Sequence, residues 1–252
     1  MIMNFTNKVA VVTGGARDIG KAISLRLASQ GAKVVVNYYG SQASADQTLA
    51  EIQSAGGEAI LFKGDMTVEA DVQAMVEKTQ AAFGASIDIL VNVVGGLVAR
   101  KTLPEMDLEF FNNVIQLNLN STFLVTKAVL PYMPEGGSII NFSSQAAKDG
   151  GGPGASAYAA SKGAVTTFTR SLAKELGPKN IRVNSLCCGV ISTTFHDTFN
   201  TLEGRKNIAN GTPLRREGTS SEVADVVAYL ASNESSFITG VNLDVNGGLL
   251  FS

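Results

Sequence analysis

Two periods of apolar residues alternate along this chain. Residues 8–13 (KVAVVT) form a short β-branched run, as in a strand buried on both faces. Glycines follow, and then Ala22, Ile23, Leu25, Leu27 and Ala28 fill a helical segment that stops at Gly31, a suitable C-terminal cap. The same couplet recurs as strand 33–37 with helix 44–55, strand 59–63 with helix 68–83, and strand 87–92. A long helical stretch over 108–132 comes next, then strand 138–142, a helix through Tyr158 to Leu176, and strand 181–186. Residues 192–216 show no clear period and read as a long, mobile loop with short helices, which in a compact domain suggests a substrate lid. Thr219-Ser-Ser-Glu222 is a capping box that opens a helix to Ser232, and strand 241–245 leads into the tail 246–252. Strands and helices alternating at such short intervals imply right-handed crossovers and a mostly parallel sheet of about seven strands. The expected fold is a single doubly wound α/β domain over residues 1–252, with no linker or repeat.

Composition narrows the function classes. A chain of 252 residues that is 45% hydrophobic can bury a core without staples. A net charge of −2 makes no case for nucleic acid or an anionic membrane surface, and no apolar run approaches the roughly 20 residues of a membrane span. Residues 1–7 lack the basic and long apolar regions of a signal peptide, so a cytoplasmic location is expected. Cys187 and Cys188 are neighbours and read as small buried side chains rather than a disulfide framework. His196, the only histidine, stands in the lid without metal partners nearby; a substrate contact and a plain surface imidazole are both open.

Candidate chemistry begins at Tyr158-Ala-Ala-Ser-Lys162. Residues four apart share a helix face, and a nearby ammonium favours the phenolate, lowering a tyrosine pKa that is otherwise about 10. Tyr158 is thereby a candidate proton donor and acceptor, although the pair alone also fits an ordinary helix face. Gly14 and Gly20 bracket the turn after the first strand, where backbone N–H groups at a helix N-terminus face a pyrophosphate. The motifs Thr13-Gly14-x-x-x-Asp18-Ile19-Gly20, Asn92-x-x-Gly95, Ser144, Tyr158-x-x-x-Lys162 and Cys188-Gly189-x-Ile191-x-Thr193 fall in order across residues 8–248. Together they resemble the short-chain dehydrogenase/reductase family.

That resemblance implies an oxidoreductase with four catalytic positions. Tyr158 would exchange the proton with the substrate oxygen, Lys162 would lower the Tyr158 pKa and hold the nicotinamide ribose, and Ser144 would hydrogen-bond the substrate oxygen. Asn118 would anchor a water that links Lys162 to solvent. Ser143 remains an alternative to Ser144, because the segment to Tyr158 is slightly long, and Asn118 may instead be read as a satisfied buried amide. Gly14, Ile19, Gly20, Asn92, Gly95, Gly189, Ile191 and Thr193 would line the nucleotide site, and Asp65 and Met66 would flank the adenine. Asp18 replaces a glycine of the family's turn, and the reading is a helix cap with its side chain turned from the phosphates. Asn92-Val-Val-Gly95 replaces the usual Asn-Asn-Ala-Gly, and Cys188 stands where a proline is usual, as a neutral packing thiol.

Cofactor choice is read from the end of the second strand, where Asn37-Tyr38-Tyr39-Gly40-Ser41 carries no carboxylate to chelate a ribose. Arg17 and Ser41 suit a 2′-phosphate, so NADP(H) is expected rather than NAD(H). The general pattern resembles 3-oxoacyl-carrier-protein reductases. The loop 134–137 nevertheless lacks a cation for an acidic carrier, although Lys179 remains. The polar, aromatic lid segment 192–199 is similar to those of reductases acting on sugar-derived keto acids, including the unsaturated uronate of alginate breakdown, and this is the preferred substrate class. A non-catalytic dinucleotide sensor on the same fold is the alternative of another class. Phe111, Val125, Val129, Phe168 and Leu172 exceed one buried stripe, and the tail carries Leu249, Leu250 and Phe251, so a homotetramer is expected.

Overall fold

The first strand, β1 (Val9–Thr13), is followed by α1 (Asp18–Ser29) and β2 (Lys33–Tyr38), in a computed structural model that describes residues 3–251. The alternation continues with α2 (Gln42–Ser54), β3 (Glu58–Lys63), α3 (Glu69–Phe83) and β4 (Ile89–Asn92). The long helical stretch then divides into α4 (Leu108–Ile115), a π-helical turn over Gln116–Asn120, and α5 (Ser121–Val129). After β5 (Ser138–Phe142) come a one-turn helix α6 (Ala146–Asp149), which the sequence did not announce, and α7 (Ser156–Leu176). The chain ends with β6 (Arg182–Cys188), α8 (Thr194–Phe199), α9 (Leu202–Gly211), α10 (Ser220–Ala231) and β7 (Asn242–Val245).

All seven strands pair in parallel, in the order β3-β2-β1-β4-β5-β6-β7. The order reverses between β1 and β4, and ligands of such sheets bind outside the strands' C-terminal ends at this switch point. Strand residues alternate between two cores. Val12, Val34, Val36 and Ile140 pack with Ile23, Leu27, Val223 and Val227 on one face. Val11, Val35, Leu90 and Ile139 pack with Met75, Val125, Leu172 and Leu176 on the other. With both faces covered, the strands read as continuous apolar runs.

Local sequence explains the element ends that matter for the site. Gly31, in the left-handed region at φ 93°, ends α1 and turns the chain into β2. The Thr219–Glu222 box forms as read: Thr219 Oγ1 accepts from Glu222 N–H at 3.3 Å, and a Glu222 carboxylate oxygen accepts from Thr219 N–H at 2.8 Å. Residues 87 and 88 lie before β4, where Asp88 instead accepts from Val9 N–H at 2.9 Å and from Lys8 Nζ at 2.8 Å. Among the described residues, no helix is long and apolar enough to cross a membrane.

Candidate active site

A cavity of about 1050 Å³ opens at the C-terminal ends of β1, β4, β5 and β6. One end is built by the turn between β1 and α1. Gly14 lies at φ 62°, and a Cβ on Gly20 would stand 2.0 Å from the Gly14 carbonyl oxygen, so the turn closes only with glycine at both places. Asn37 braces it: Oδ1 accepts from Gly14 N–H at 3.0 Å while Nδ2 donates to the Gly64 carbonyl at 3.0 Å. Arg17, Asp18, Ile19, Tyr38, Ser41, Ser44, Asp65 and Met66 line the same end. Ser41 caps α2 by accepting from Ser44 N–H at 3.2 Å, and the Asp65 carboxylate is engaged by Thr67 N–H and its hydroxyl, each at 2.8 Å. Gly189, Ile191 and Thr193 line the wall after β6. Asn92 does not join them. It is buried at the end of the central strand β4 in a polar layer, donating to Asn141 Oδ1 at 2.9 Å and Thr126 Oγ1 at 3.1 Å.

The other half of the cavity is lined by Ser144, Tyr158 and Lys162, three of the four candidate catalytic side chains, while the fourth, Asn118, lies buried behind it as a satisfied amide. Tyr158 and Lys162 rise from the first turns of α7, and Ser144, just past the end of β5, is near enough to the Tyr158 hydroxyl to favour its phenolate. Ser143 is committed elsewhere: its hydroxyl is buried, donates to the Lys162 carbonyl at 3.0 Å and meets Thr166 Oγ1 at 2.8 Å. Lys162 Nζ donates to the Phe142 carbonyl at 2.7 Å and stands 5.8 Å from the centre of the Tyr158 ring. Asn118 sits in the π-helical turn, a feature often found at functional sites. Its Oδ1 accepts from Gly96 N–H at 3.0 Å, and Nδ2 donates to the Gly96 and Val114 carbonyls at 2.8 and 2.9 Å. Gly95 lies between the two groups, since a Cβ there would stand 2.6 Å from Asn118 Oδ1 and 2.8 Å from Lys162 Nζ.

The electrostatics correct one expectation. Lys162 does not bring the Tyr158 phenol down; burial pushes it up to about 12, against the Ser144 hydrogen bond, which lowers it. Burial also pulls Lys162 down to about 8. Both shifts favour the neutral form, because desolvation penalises whichever form carries charge. Burial likewise raises the Cys188 thiol to about 12 and Cys187 to about 11, which suits packing rather than nucleophilic thiols.

The segment expected to act as a lid folds into α8 and α9. Phe195 lies 6.0 Å from the Tyr158 ring and packs on Phe199 at 5.0 Å and His196 at 5.1 Å, between ring centres. His196 is half-buried, faces the cavity and is hydrogen-bonded to Asn200, so it is no surface imidazole; burial and Arg205 lower its pKa. Arg205 clamps the lid's base, pairing with Glu217 at 2.6 Å, with Asp197, and with Ser192 Oγ at 3.2 Å. Asp18 also departs from its reading: no cap bond forms at the start of α1, and its carboxylate accepts from Thr194 instead.

Sequence reasoning missed Arg100. Its guanidinium lines the cavity and donates to the carbonyls of Pro153 at 3.0 Å and Phe199 at 3.3 Å, and to Asn200 Oδ1 at 3.3 Å. The glycine-rich segment 150–154 is shaped around it, since a Cβ on Gly154 would stand 3.0 Å from the Arg100 Cβ and one on Gly152 3.4 Å from Nη1. Val98, two residues earlier on the wall, is a β-branched residue at φ 65°, strain of a kind concentrated at functional sites. A solitary arginine in a region without period gives a sequence reader no signal.

Comparison with known proteins accords with this geometry. A family model described as enoyl-(acyl carrier protein) reductase matches residues 14–250. A short chain dehydrogenase/reductase of Cryptosporiopsis sp. is 37% identical over 96% of this chain and 95% of its own. The chain belongs to the short-chain dehydrogenase/reductase family. A 3-oxoacyl-[acyl-carrier-protein] reductase of Synechocystis sp. is 40% identical, with 97% of this chain and 98% of that protein covered. Among solved structures, a short-chain dehydrogenase/reductase of Serratia marcescens superposes with a TM-score of 0.92 at 33% identity, covering 97% of this chain and 98% of the other. A dehydrogenase/reductase of Sinorhizobium meliloti gives 0.93 at 31% identity, covering 99% and 98%. Members of this family are oxidoreductases that use nicotinamide dinucleotides. The residues fit such a group, because the turn from Gly14 to Gly20 closes only with glycine at both places and leads into α1, whose first backbone N–H groups have no partner within the helix.

Proposed function

We propose that this protein reduces the carbonyl of a small, polar keto acid with NADP(H), and oxidises the corresponding alcohol in reverse. The reading is carried by one arrangement: Ser144, Tyr158 and Lys162 line one cavity, with Lys162 Nζ and the buried Asn118 both against Gly95. The nicotinamide, when bound, supplies or accepts the hydride. As hydride reaches the carbonyl carbon, Tyr158 donates its proton to the oxygen and the Ser144 hydroxyl donates a hydrogen bond to the developing oxyanion. Lys162 lines the site with the buried Asn118 behind Gly95, and Gly14, Ile19, Gly20, Gly95, Gly189, Ile191 and Thr193 would receive the dinucleotide, with Asp65 and Met66 beside the adenine. A phenol held neutral carries the proton that the carbonyl oxygen takes up in reduction.

NADP(H) is favoured by the adenosine end. Arg17, Ser41 and Ser44 line it together with the N-terminus of α2, and the Asp65 carboxylate there is already engaged by Thr67. Substrate class follows from Arg100, a cavity cation whose hydrogen-bond partners are neutral acceptors. Guanidinium groups suit carboxylates, and the polar lid with His196, Asn200 and Thr198 suits a hydroxylated chain such as an unsaturated uronate-derived keto acid. The Synechocystis relative's name supports a second reading, reduction of a 3-oxoacyl thioester on a carrier protein. A non-catalytic sensor is disfavoured because Asn118, Ser144, Tyr158 and Lys162 are all present. The free Cys187 and Cys188 suit a reducing compartment such as the cytoplasm.

For assembly, we propose a homotetramer on narrower grounds than the sequence offered. Val125, Val129 and Leu172 are buried within the subunit's own core, and Leu249 turns back to line the cavity. Leu108, Phe111, Phe123, Phe237, Leu243 and Phe251 remain exposed and supply the apolar surface that association would cover. The function is tested by a panel of keto acids, neutral ketones and 3-oxoacyl thioesters with NADPH and with NADH. Keto acids with NADPH are expected to turn over fastest; a preference for thioesters would favour the second reading, and no turnover would reject both.

A further inference from the structure

Asp18 opens α1 at φ 48°, in the left-handed region that glycine enters freely and other residues enter at a cost. Its carboxylate reaches the lid. Oδ2 accepts from the Thr194 hydroxyl at 2.5 Å, and Oδ1 accepts from Thr194 N–H at 3.1 Å. Thr194 is the first residue of α8, so its amide is one of the donors that a helix cannot satisfy within itself. Arg17 donates to the same hydroxyl at 3.5 Å. The bridge thus joins the first turn of α1, where a pyrophosphate binds at a helix N-terminus, to the first turn of the lid, and all three residues line one cavity.

We propose that Asp18 and Thr194 form a latch over the dinucleotide's phosphates, so that cofactor exchange requires it to open. Asp18 is then a positioning residue for the lid. This inference rests on the dinucleotide reading above. Aspartate tolerates the left-handed conformation better than most residues, and it adds two acceptors that a glycine would lack. A latch that is closed with and without nucleotide slows entry and exit equally and leaves affinity almost unchanged. A direct contact between the carboxylate and the nucleotide would instead move the affinity.

The test measures NADPH association and dissociation by stopped-flow fluorescence, and amide exchange over residues 194–199 without nucleotide, on the full chain. Asp18→Gly relaxes the backbone while removing the latch, which keeps the fold. Asp18→Gly and Thr194→Val should each raise both NADPH rates about tenfold, as loss of a charge-assisted hydrogen bond implies, with Kd nearly constant. Both should also speed exchange in α8, whereas Thr194→Ser, which keeps the hydroxyl, should match the wild type. Unchanged amide exchange overturns the latch. Faster amide exchange with unchanged NADPH rates overturns the gate, and a Kd that moves as far as the dissociation rate makes Asp18 a direct ligand and overturns it too. If the wild type binds neither NADPH nor NADH, the dinucleotide reading and the gate fall together, while amide exchange still decides the lid contact.

Discussion

Tyr158 is held as a phenol with its pKa near 12, and Lys162 beside it is pulled down to about 8. For Lys162 the folded value lies below the ordinary 10.5, so between about 8 and 10.5 the unfolded chain binds more protons. Its contribution to stability is fully present above about 10.5 and is lost as pH falls through about 8. Tyr158 acts mostly at higher pH: its contribution is present below 10.0 and is lost as pH rises through about 12. Lys162→Met removes the buried ammonium, so the nucleotide-free variant should melt above the wild type at neutral pH. The gap should narrow between pH 8 and 10.5; a gap in Tm that ignores pH in this range would contradict the assignment. Arg17→Ala should weaken NADPH much more than NADH, because only NADPH has the 2′-phosphate, and equal losses measured by fluorescence titration would reject NADP(H) selectivity. The residues that misled the sequence reading did so for tertiary reasons. Helix spacing placed Lys162 beside Tyr158, but desolvation, invisible in a sequence, outweighed the charge. Asp18 looked like a cap because of its position, and its left-handed φ turned the carboxylate to a residue 176 positions away.

At the scale of elements, the strand–helix alternation was legible because β1, β2, β4, β5 and β6 are buried on both faces, and α1, α2, α3 and α7 end at or just before a glycine. The π-helical turn that carries Asn118 was not, since a one-residue insertion in a helix leaves no mark on the apolar period. The lid's two helices lacked a period because neither has a buried side chain, and their order comes from Arg205, Arg100 and Asp18 at their edges. Arg100→Gln keeps a neutral donor but removes the charge. It should raise KM for keto acids about tenfold or more, as loss of a charge-assisted hydrogen bond implies, with little change in KM for neutral ketones. Equal effects on both classes would make Arg100 a tether of the lid and segment 150–154 only.

For the whole molecule, the apolar surplus on the long helices proved to be mostly the subunit's own second core, which faces the sheet opposite α1 and α10. Exposed apolar side chains remain on α4 and α5 (Leu108, Phe111, Phe123) and around β7 with the tail (Phe237, Leu243, Phe251). Light scattering at micromolar concentration should give four times the 26.3 kDa subunit mass. Phe251→Asp should yield dimers that keep NADPH binding, since Phe251 is exposed and does not line the cavity. A monomeric wild type would overturn the assembly.

In the proposed reaction Tyr158 supplies the proton for carbonyl reduction. Steady-state NADPH oxidation with the best keto acid of the panel, wild type against Tyr158→Phe, alongside NADPH titration of both, checks this role. The expected result is a fall in kcat of about 10²–10⁴-fold, the usual contribution of a general acid, with NADPH affinity retained. A variant that keeps more than about a tenth of wild-type kcat, well short of that loss, would contradict it.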